Sequence, residues 1–327
     1  MSSLRGIAAL LLLSLAGCGN STSAPPPART PSATAIPSPT PTPGRPAPAL
    51  VQIENGPDAR PAFGLQKADL VFEYLTEGGI TRFSAIYLNP SGPDKIEPIR
   101  SARLVSLKLV NSYHAVLFYA GASDFVAGKI YAAGLHNYTD MNNGAPYFSR
   151  DPARQRPHNL MTTGDQMKQG IDKAGDRVTY TLPVPGEPVT AGNPVHALQF
   201  NQTQSHSVAY TYSETDRAYF YRSETGPLNE GAAGPPIKIT NVVLLRVPHH
   251  GMGYTEDTLG AEGIDFDLQG TGAAEVYTRG QHFSATWDLT NSNQPLRLLG
   301  PGGTDLTLPQ GLTWLHLVDP DMPVTAG

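Results

Sequence analysis

Residues 70–88 read LVFEYLTEGGITRFSAIYL. The first six are apolar and aromatic around a lone Glu73. Residues 80–88 alternate, with Ile80, Arg82, Ser84, Ile86 and Leu88 on one side. Gly78-Gly79 stands between the two runs, and two β-prone runs joined through a glycine pair predict an antiparallel hairpin. Upstream, residues 50–54 form a short β-prone run that ends in the turn signal Asn55-Gly56-Pro57. Downstream, residues 103–111 place apolar side chains at Leu104, Leu107, Leu109 and Val110, the spacing of a short amphipathic helix. Residues 114–119 (HAVLFY) read as a buried strand. Ser123 is placed to cap a helix over residues 124–133, and Thr163, with Asp165 and Gln166 in the first turn, to cap another over residues 163–174. Mixed helices and strands predict an α/β N-terminal domain over residues 49–182.

Residues 183–194 carry four prolines and two glycines with no apolar period, which marks a boundary or long loop. Beyond it the pattern turns to β. Short runs at 195–200, 207–212, 217–222, 241–247, 264–268, 273–279, 281–288, 296–299 and 312–318 are separated by Gly, Pro or Asn. No helix is expected after residue 174. The whole reads as α+β: a mixed α/β N-terminal domain followed by a mainly β C-terminal domain at 195–321, built as a sandwich, open barrel or curled sheet. Trp287 and Trp314 are expected to be packing residues.

The first 17 residues read as a secretory signal: Arg5 supplies the positive region, residues 7–15 the apolar one, and Leu15-Ala16-Gly17 leads to Cys18. The apolar run is shorter than the ~20 residues a spanning helix needs. Leu-Ala-Gly-Cys resembles the bacterial lipobox, which implies lipid transfer to Cys18 and membrane anchoring there. Cys18 is the sole cysteine of 327 residues, so no intrachain disulfide or multi-cysteine metal site is available. Residues 18–48 form the lipidated Cys and a linker holding ten of the chain's 31 prolines. Such a segment buries too little apolar area to offset its ordering entropy. As polyproline II it would hold a head well clear of the bilayer. The net charge is −5, and losing Arg5 with the signal makes the remainder one unit more negative. That balance argues against a nucleic-acid partner.

The densest set of charges among apolar segments is Asp58, Arg60, Asp69, Glu73, Glu77, Arg82, Glu97, Arg100 and Arg103. Arginine forks bind carboxylate or phosphate in pairs of hydrogen bonds, so Arg60, Arg82, Arg100 and Arg103 are candidate ligand-binding residues. The same acids can instead neutralise them in an internal ion-pair network. Glu73 and Glu77 are four apart, about 13 Å along a strand, which is long for two carboxylates around one bond. His158-Asn159, after Arg154 and Arg156, forms a second polar patch. His158 is a candidate acid or base and Asn159 a candidate ligand contact. His249-His250 looks like a metal pair, but neighbours in a strand point to opposite faces, and no metal or cofactor is expected. There is no GxSxG elbow, SxxK, P-loop or dinucleotide fingerprint.

Two long strings, IENGPDARPAFGLQKADLVFEYLTEGGITRFSAIY (53–87) and EPIRSARLVSLKLVNSYHAVLFYAGAS (97–123), resemble the YerB-type bacterial lipoproteins. Arg156-Pro157-His158-Asn159 fits the same pattern. So do NVVLLRV, GTGAAEVYTRGQHFSATW and LTLPQGLTWLHLV in the second half. The resemblance covers about residues 48–320, and His249-His250 is a local departure from it. It implies a two-domain extracytoplasmic lipoprotein with no established biochemical function. The family pattern falls on Asn55, Arg60, Pro61, Gly64, Asp69, Glu73, Gly78, Gly79, Thr81, Arg82, Pro98, Arg100, Ser101, Arg103, His158 and Asn159.

Three functions follow as expectations. The first is a lipid-anchored protein that binds a polar or anionic cell-envelope component through Arg82, Arg100, Arg103 and His158, so that Arg100→Ala with Arg103→Ala abolishes binding and leaves the fold intact. The second is an envelope hydrolase using Glu73 with His158. The third is a non-catalytic assembly scaffold.

Overall fold

The computed structural model describes residues 44–140, 146–180 and 192–327. The signal, Cys18, the linker up to residue 43 and residues 183–191 of the boundary stretch lie outside the described residues.

The N-terminal half supplies β1 (Ala49–Glu54), β2 (Leu70–Leu75), β3 (Thr81–Tyr87), α1 (Leu104–Tyr113), β4 (Val116–Tyr119), α2 (Asp124–Ala132), β5 (Asn137–Thr139) and α3 (Gly164–Ala174). The C-terminal half supplies β6 (Ala197–Asn201), β7 (Ser207–Ser213), β8 (Ala218–Ser223), β9 (Asn241–Arg246), β10 (His249–Thr255), β11 (Glu262–Phe266), β12 (Gly270–Thr278), β13 (Gln281–Leu289), β14 (Arg297–Leu299) and β15 (Thr313–Val318). The architecture is α+β. Among the described residues the α-helices all lie before Gly175.

Both halves build one sheet. Among the described residues it has 11 strands, with core order β13-β12-β9-β15-β2-β3-β1-β4-β5. β15 lies between β9 and β2 and runs parallel to both. β2–β3 is the expected antiparallel hairpin, turned through Gly78 (φ 73°) and Gly79 (φ 74°), where a side chain would be strained. β3 is antiparallel to β1, while β1–β4 and β4–β5 are parallel. The carboxyl ends of β15, β2, β1, β4 and β5 therefore share one edge.

α1, α2 and the two-stranded ribbon β10–β11 cover one face, through Leu109, Val126, Ile130 and Phe266. α3 and a second, five-stranded sheet containing β6–β8 cover the other, through Met167, Ile171, Phe200, Tyr210 and Tyr221. The C-terminal strands thus divide between two sheets rather than closing a sandwich or barrel of their own. Double coverage also changes the reading of residues 80–88. The alternation puts Ile80, Arg82, Ser84, Ile86 and Leu88 on one side, yet every residue of β3 is buried whichever side it faces. Its Ser84 is satisfied internally: Gln52 Nε2 donates to Ser84 Oγ at 2.6 Å, and Tyr74 OH to Gln52 Oε1 at 2.8 Å.

The helix caps follow the sequence. Ser123 accepts from Val126 N, and Thr163 and Gln166 form a reciprocal capping box. Trp287 and Trp314 are core residues, 2% and 0% exposed. The last residues assigned to the linker already belong to the fold. Arg45–Pro46 pairs with Arg177–Val178, Ala47 is fully buried, and the Arg45 guanidinium lies 5.3 Å from the centre of the Tyr180 ring. An edge position of this kind tolerates a proline, which has no N–H to donate.

Candidate functional site

In sheets of this type ligands bind beyond the carboxyl ends of strands, where chains leave neighbouring strands in opposite directions. β1 and β4 are such a pair: the chain leaves β1 towards β2 and β4 towards β5, on opposite sides. The segment at 98–102 fills the gap between them. Arg100 N donates to Gln52 O at 2.9 Å, Ala120 N to Arg100 O at 3.0 Å, and Ala102 N to Gly121 O at 3.0 Å. α1 and α2 both start at this edge, with Arg103 and Ser123 as their N-caps. β3 begins there, and its second residue, Arg82, stands opposite Glu54 in register.

The fold thus gathers Arg82, Arg100, Arg103 and His158 at one edge, each with an acid. Arg103 forks onto Glu77: Nε donates to Oε2 at 2.7 Å, and Nη2 pairs with Oε1. Arg82 Nη2 is 3.5 Å from Glu77 Oε1, and its Nη1 donates to Ser101 O at 3.0 Å. Burial alone would raise the Glu77 pKa. The Arg103 hydrogen bonds and the two positive charges outweigh it and hold Glu77 at about 2. Burial and the neighbouring Arg103 charge lower Arg82 to about 10. Arg82 and Arg103 are only 2% and 6% exposed. At the open rim, Arg100 Nε lies 3.1 Å from Glu54 Oε1 and His158 Nδ1 lies 2.8 Å from Glu54 Oε2. The Arg100 and His158 side chains keep 29% and 27% exposure.

Other candidates go elsewhere. Asn159 is 8% exposed and holds its own loop, accepting from Arg150 Nη1 at 2.9 Å and donating to Arg154 O at 3.3 Å. Arg60 joins a second cluster, through Asn55 Oδ1 at 3.0 Å, Ser223 Oγ at 2.8 Å and Glu224 Oε1 at 3.0 Å. His249 and His250 pair with different carboxylates, Asp319 at 2.7 Å and Asp267 at 3.5 Å.

The second cluster centres on Glu73, which is fully buried. Its Oε1 receives Asn55 Nδ2 at 3.1 Å, Thr81 Oγ1 at 2.8 Å and Tyr221 OH at 3.3 Å, and lies 2.8 Å from His206 Nε2. Its Oε2 receives Trp314 Nε1 at 3.0 Å and lies 3.6 Å from His316 Nδ1. Burial raises the Glu73 pKa, but His316, His206 and Trp314 together outweigh it and hold the carboxyl at about 2. Burial also disfavours a charge on His206, and the Glu73 hydrogen bond and charge reverse this, raising its pKa. Burial dominates at His316 and lowers it to about 4. Its Nδ1 faces Gln202 Oε1 at 2.7 Å, so the neutral ring carries its proton there and accepts from Tyr210 OH at Nε2, 2.7 Å away.

The hydrolase expectation needed Glu73 and His158 as a pair. The structure gives Glu73 to His206 and His158 to Glu54. Glu73 and Glu77 do not pair either, since Glu77 turns to the arginines. Sequence reading missed His206 and His316. A cavity of about 430 Å³, lined by residues including Tyr180, Asn291 and Arg297, adjoins none of the predicted site residues.

Two family models match the chain: "Protein of unknown function (DUF3048) N-terminal domain" over residues 33–177 and its "C-terminal domain" over residues 196–315. The chain belongs to the DUF3048 family. The resemblance read from residues 53–123 is thereby established. This DUF3048 chain is 28% identical over 284 residues to "Putative lipoprotein YerB" of Bacillus subtilis (strain 168), covering 84% of this chain and 82% of that protein. The crystal structure of YerB protein from Bacillus subtilis matches with a TM-score of 0.71 at 25% identity, over 86% of this chain and 94% of the other. The Glu73 cluster joins the two DUF3048 segments, with Asn55, Glu73 and Thr81 from the first and His206, Tyr221 and Trp314 from the second.

Proposed function

We propose that this protein is a lipid-anchored extracytoplasmic binding protein whose ligand is an anionic component of the cell envelope. One observation carries the reading. At the strand-end edge two basic side chains, Arg100 and His158, converge on the two oxygens of one carboxylate while remaining partly open to solvent. That is the arrangement an incoming carboxylate or phosphate requires. With the edge closed as it is here, Arg82 and Arg103 are buried and paired with Glu77. They position the rim. The lipobox-like Leu15-Ala16-Gly17-Cys18 and the printed name of the YerB relative support the anchor.

Arg100→Ala combined with His158→Ala is expected to reduce retention on isolated cell-wall material at least tenfold. Both side chains are partly exposed, but the Glu54 carboxylate they pair with is only 6% exposed, so Glu54→Gln is added to avoid the cost of about 3–5 kcal/mol for a buried charge left unpaired. Unchanged retention with intact circular dichroism rejects the reading. For the anchor, Cys18→Ser is expected to move the protein from the membrane pellet to the soluble fraction. Persistence in the pellet rejects lipidation at Cys18 as the anchor.

A further inference from the structure

The ribbon β10–β11 belongs to neither large sheet. Among the described residues its strands pair only with each other, with a register shift between Gly251 and Thr255. It leaves the main sheet after β9 and returns to it at β12. Four of its 18 residues from His249 to Phe266 are glycine, and the faces of β10 are mostly open. It is anchored at its base, where Phe266 is 1% exposed and its carbonyl accepts from Lys108 Nζ and where His249 pairs with Asp319 at 2.7 Å. Tyr254 stacks on Phe125 of α2 with centroids 4.1 Å apart, Phe266 packs edge-on to Tyr74, and Lys108 of α1 pairs with Asp265 at 2.8 Å.

Its turn delivers a carboxylate to the arginine edge. Glu256 Oε1 lies 3.3 Å from Arg103 Nη1, and Tyr254 OH steadies the other oxygen at 2.6 Å. The Glu256 side chain is 1% exposed, yet Oε1 makes no hydrogen bond. On the arginine side, Arg82 Nε is likewise buried without a partner. A buried carboxylate that is only half satisfied is a contact the protein can give up at small cost. With Glu256 in place the edge is balanced: Arg82, Arg100 and Arg103 face Glu54, Glu77 and Glu256. Withdrawing Glu256 leaves one positive charge in excess at the start of α1, where an anion is favoured.

We propose that the ribbon is a flap that closes the site with the protein's own carboxylate, and that the envelope ligand carries a carboxylate that takes the place of Glu256 on Arg103. This rests on the binding reading above and narrows it from anions in general to carboxylates.

The head has no cysteine beyond Cys18, so the flap can be pinned chemically. In a Cys18→Ser background, Phe125→Cys and Tyr254→Cys joined by a short bis-maleimide are expected to abolish retention on isolated cell wall, while the unjoined pair binds at least as well as the parent. Glu256→Gln is expected to raise retention several-fold and to speed amide hydrogen exchange in residues 249–266 but not in β9. Cell wall stripped of phosphate polymers by hydrofluoric acid is expected to retain the protein as before.

Equal retention with and without the cross-link overturns the flap. It leaves the binding reading standing if Arg100→Ala with His158→Ala still abolishes retention. Loss of retention after acid stripping overturns the carboxylate in favour of phosphate. Unchanged exchange in Glu256→Gln overturns the role of Glu256. If the rim variants do not affect retention, the binding reading fails and the flap fails with it.

Discussion

Replacing Glu73 by glutamine lowers the unfolding free energy by about 3–5 kcal/mol at neutral pH, the usual cost of removing one partner from a buried ion pair. Glu73 is fully buried, and its Oε1 alone has four neighbours at 2.8–3.3 Å, His206 among them. Glutamine keeps the volume and loses the charge, so the buried His206 loses one of its two carboxylate partners and keeps Glu224 at 2.8 Å. The pH dependence gives a second readout. The folded Glu73 pKa is lowered from 4.5 to about 2, so its contribution is complete above 4.5 and is lost as the pH falls towards 2. His316, lowered from 6.5 to about 4, acts in the same direction: the folded state resists its protonation, so stability falls as the pH drops through that interval. His206 is raised and acts oppositely, contributing below its unfolded pKa and fading as the pH rises through its folded one. Urea midpoints measured from pH 7 to pH 3 should show the gap between wild type and Glu73→Gln closing below 4.5. A gap that is small at pH 7, or constant with pH, contradicts the charged state assigned to Glu73.

Arg103→Ala is expected to cost about 3–5 kcal/mol for the same reason. The Glu77 and Glu256 side chains are 9% and 1% exposed, and Arg103 bridges them. Removing it leaves Glu77 with Arg82 at 3.5 Å and Glu256 with no cation that the structure pairs to it. Lysine should recover only part of the loss, because a point charge cannot reproduce the fork onto both Glu77 oxygens. The burial of Arg103 argues against the sequence-based expectation that Arg100→Ala with Arg103→Ala leaves the fold intact. The rim residues Arg100 and His158, replaced together with Glu54→Gln so that no buried charge is left unpaired, report on binding more cleanly. Stability within about 1 kcal/mol of wild type would place the Arg103 pairs with ordinary surface ion pairs.

Local chemistry made much of the fold legible. Gly78-Gly79, Ser123, and Thr163 with Gln166 each act at the position and in the manner their residue types require. The arginine edge was legible as a set of residues but not as a balance, because Glu256 arrives from far along the chain on a ribbon that the His249-His250 stretch did not announce. Long-range pairing was not legible. Residues 70–75 and 312–318 both looked like ordinary strands, and nothing local says that they are parallel neighbours. One signal was available. Each is an apolar run interrupted by a single ionisable residue, Glu73 and His316, and a buried charge needs a partner. In the sheet these two residues stand opposite each other in register. His206 gave no such sign, since it sits in a polar stretch without period.

The position of β15 has a consequence for how the molecule is made. The last long strand of the sequence lies in the middle of the sheet, between β9 and β2. Chains are synthesised from the amino end, so β2 waits with one flank unpaired until residues 313–318 have emerged. An apolar strand with a bare flank is a template for pairing with other chains. The N-terminal segment is thus an unfinished object without the C-terminal one, and a product that stops short of residue 313 is marked for aggregation or proteolysis rather than for half a function.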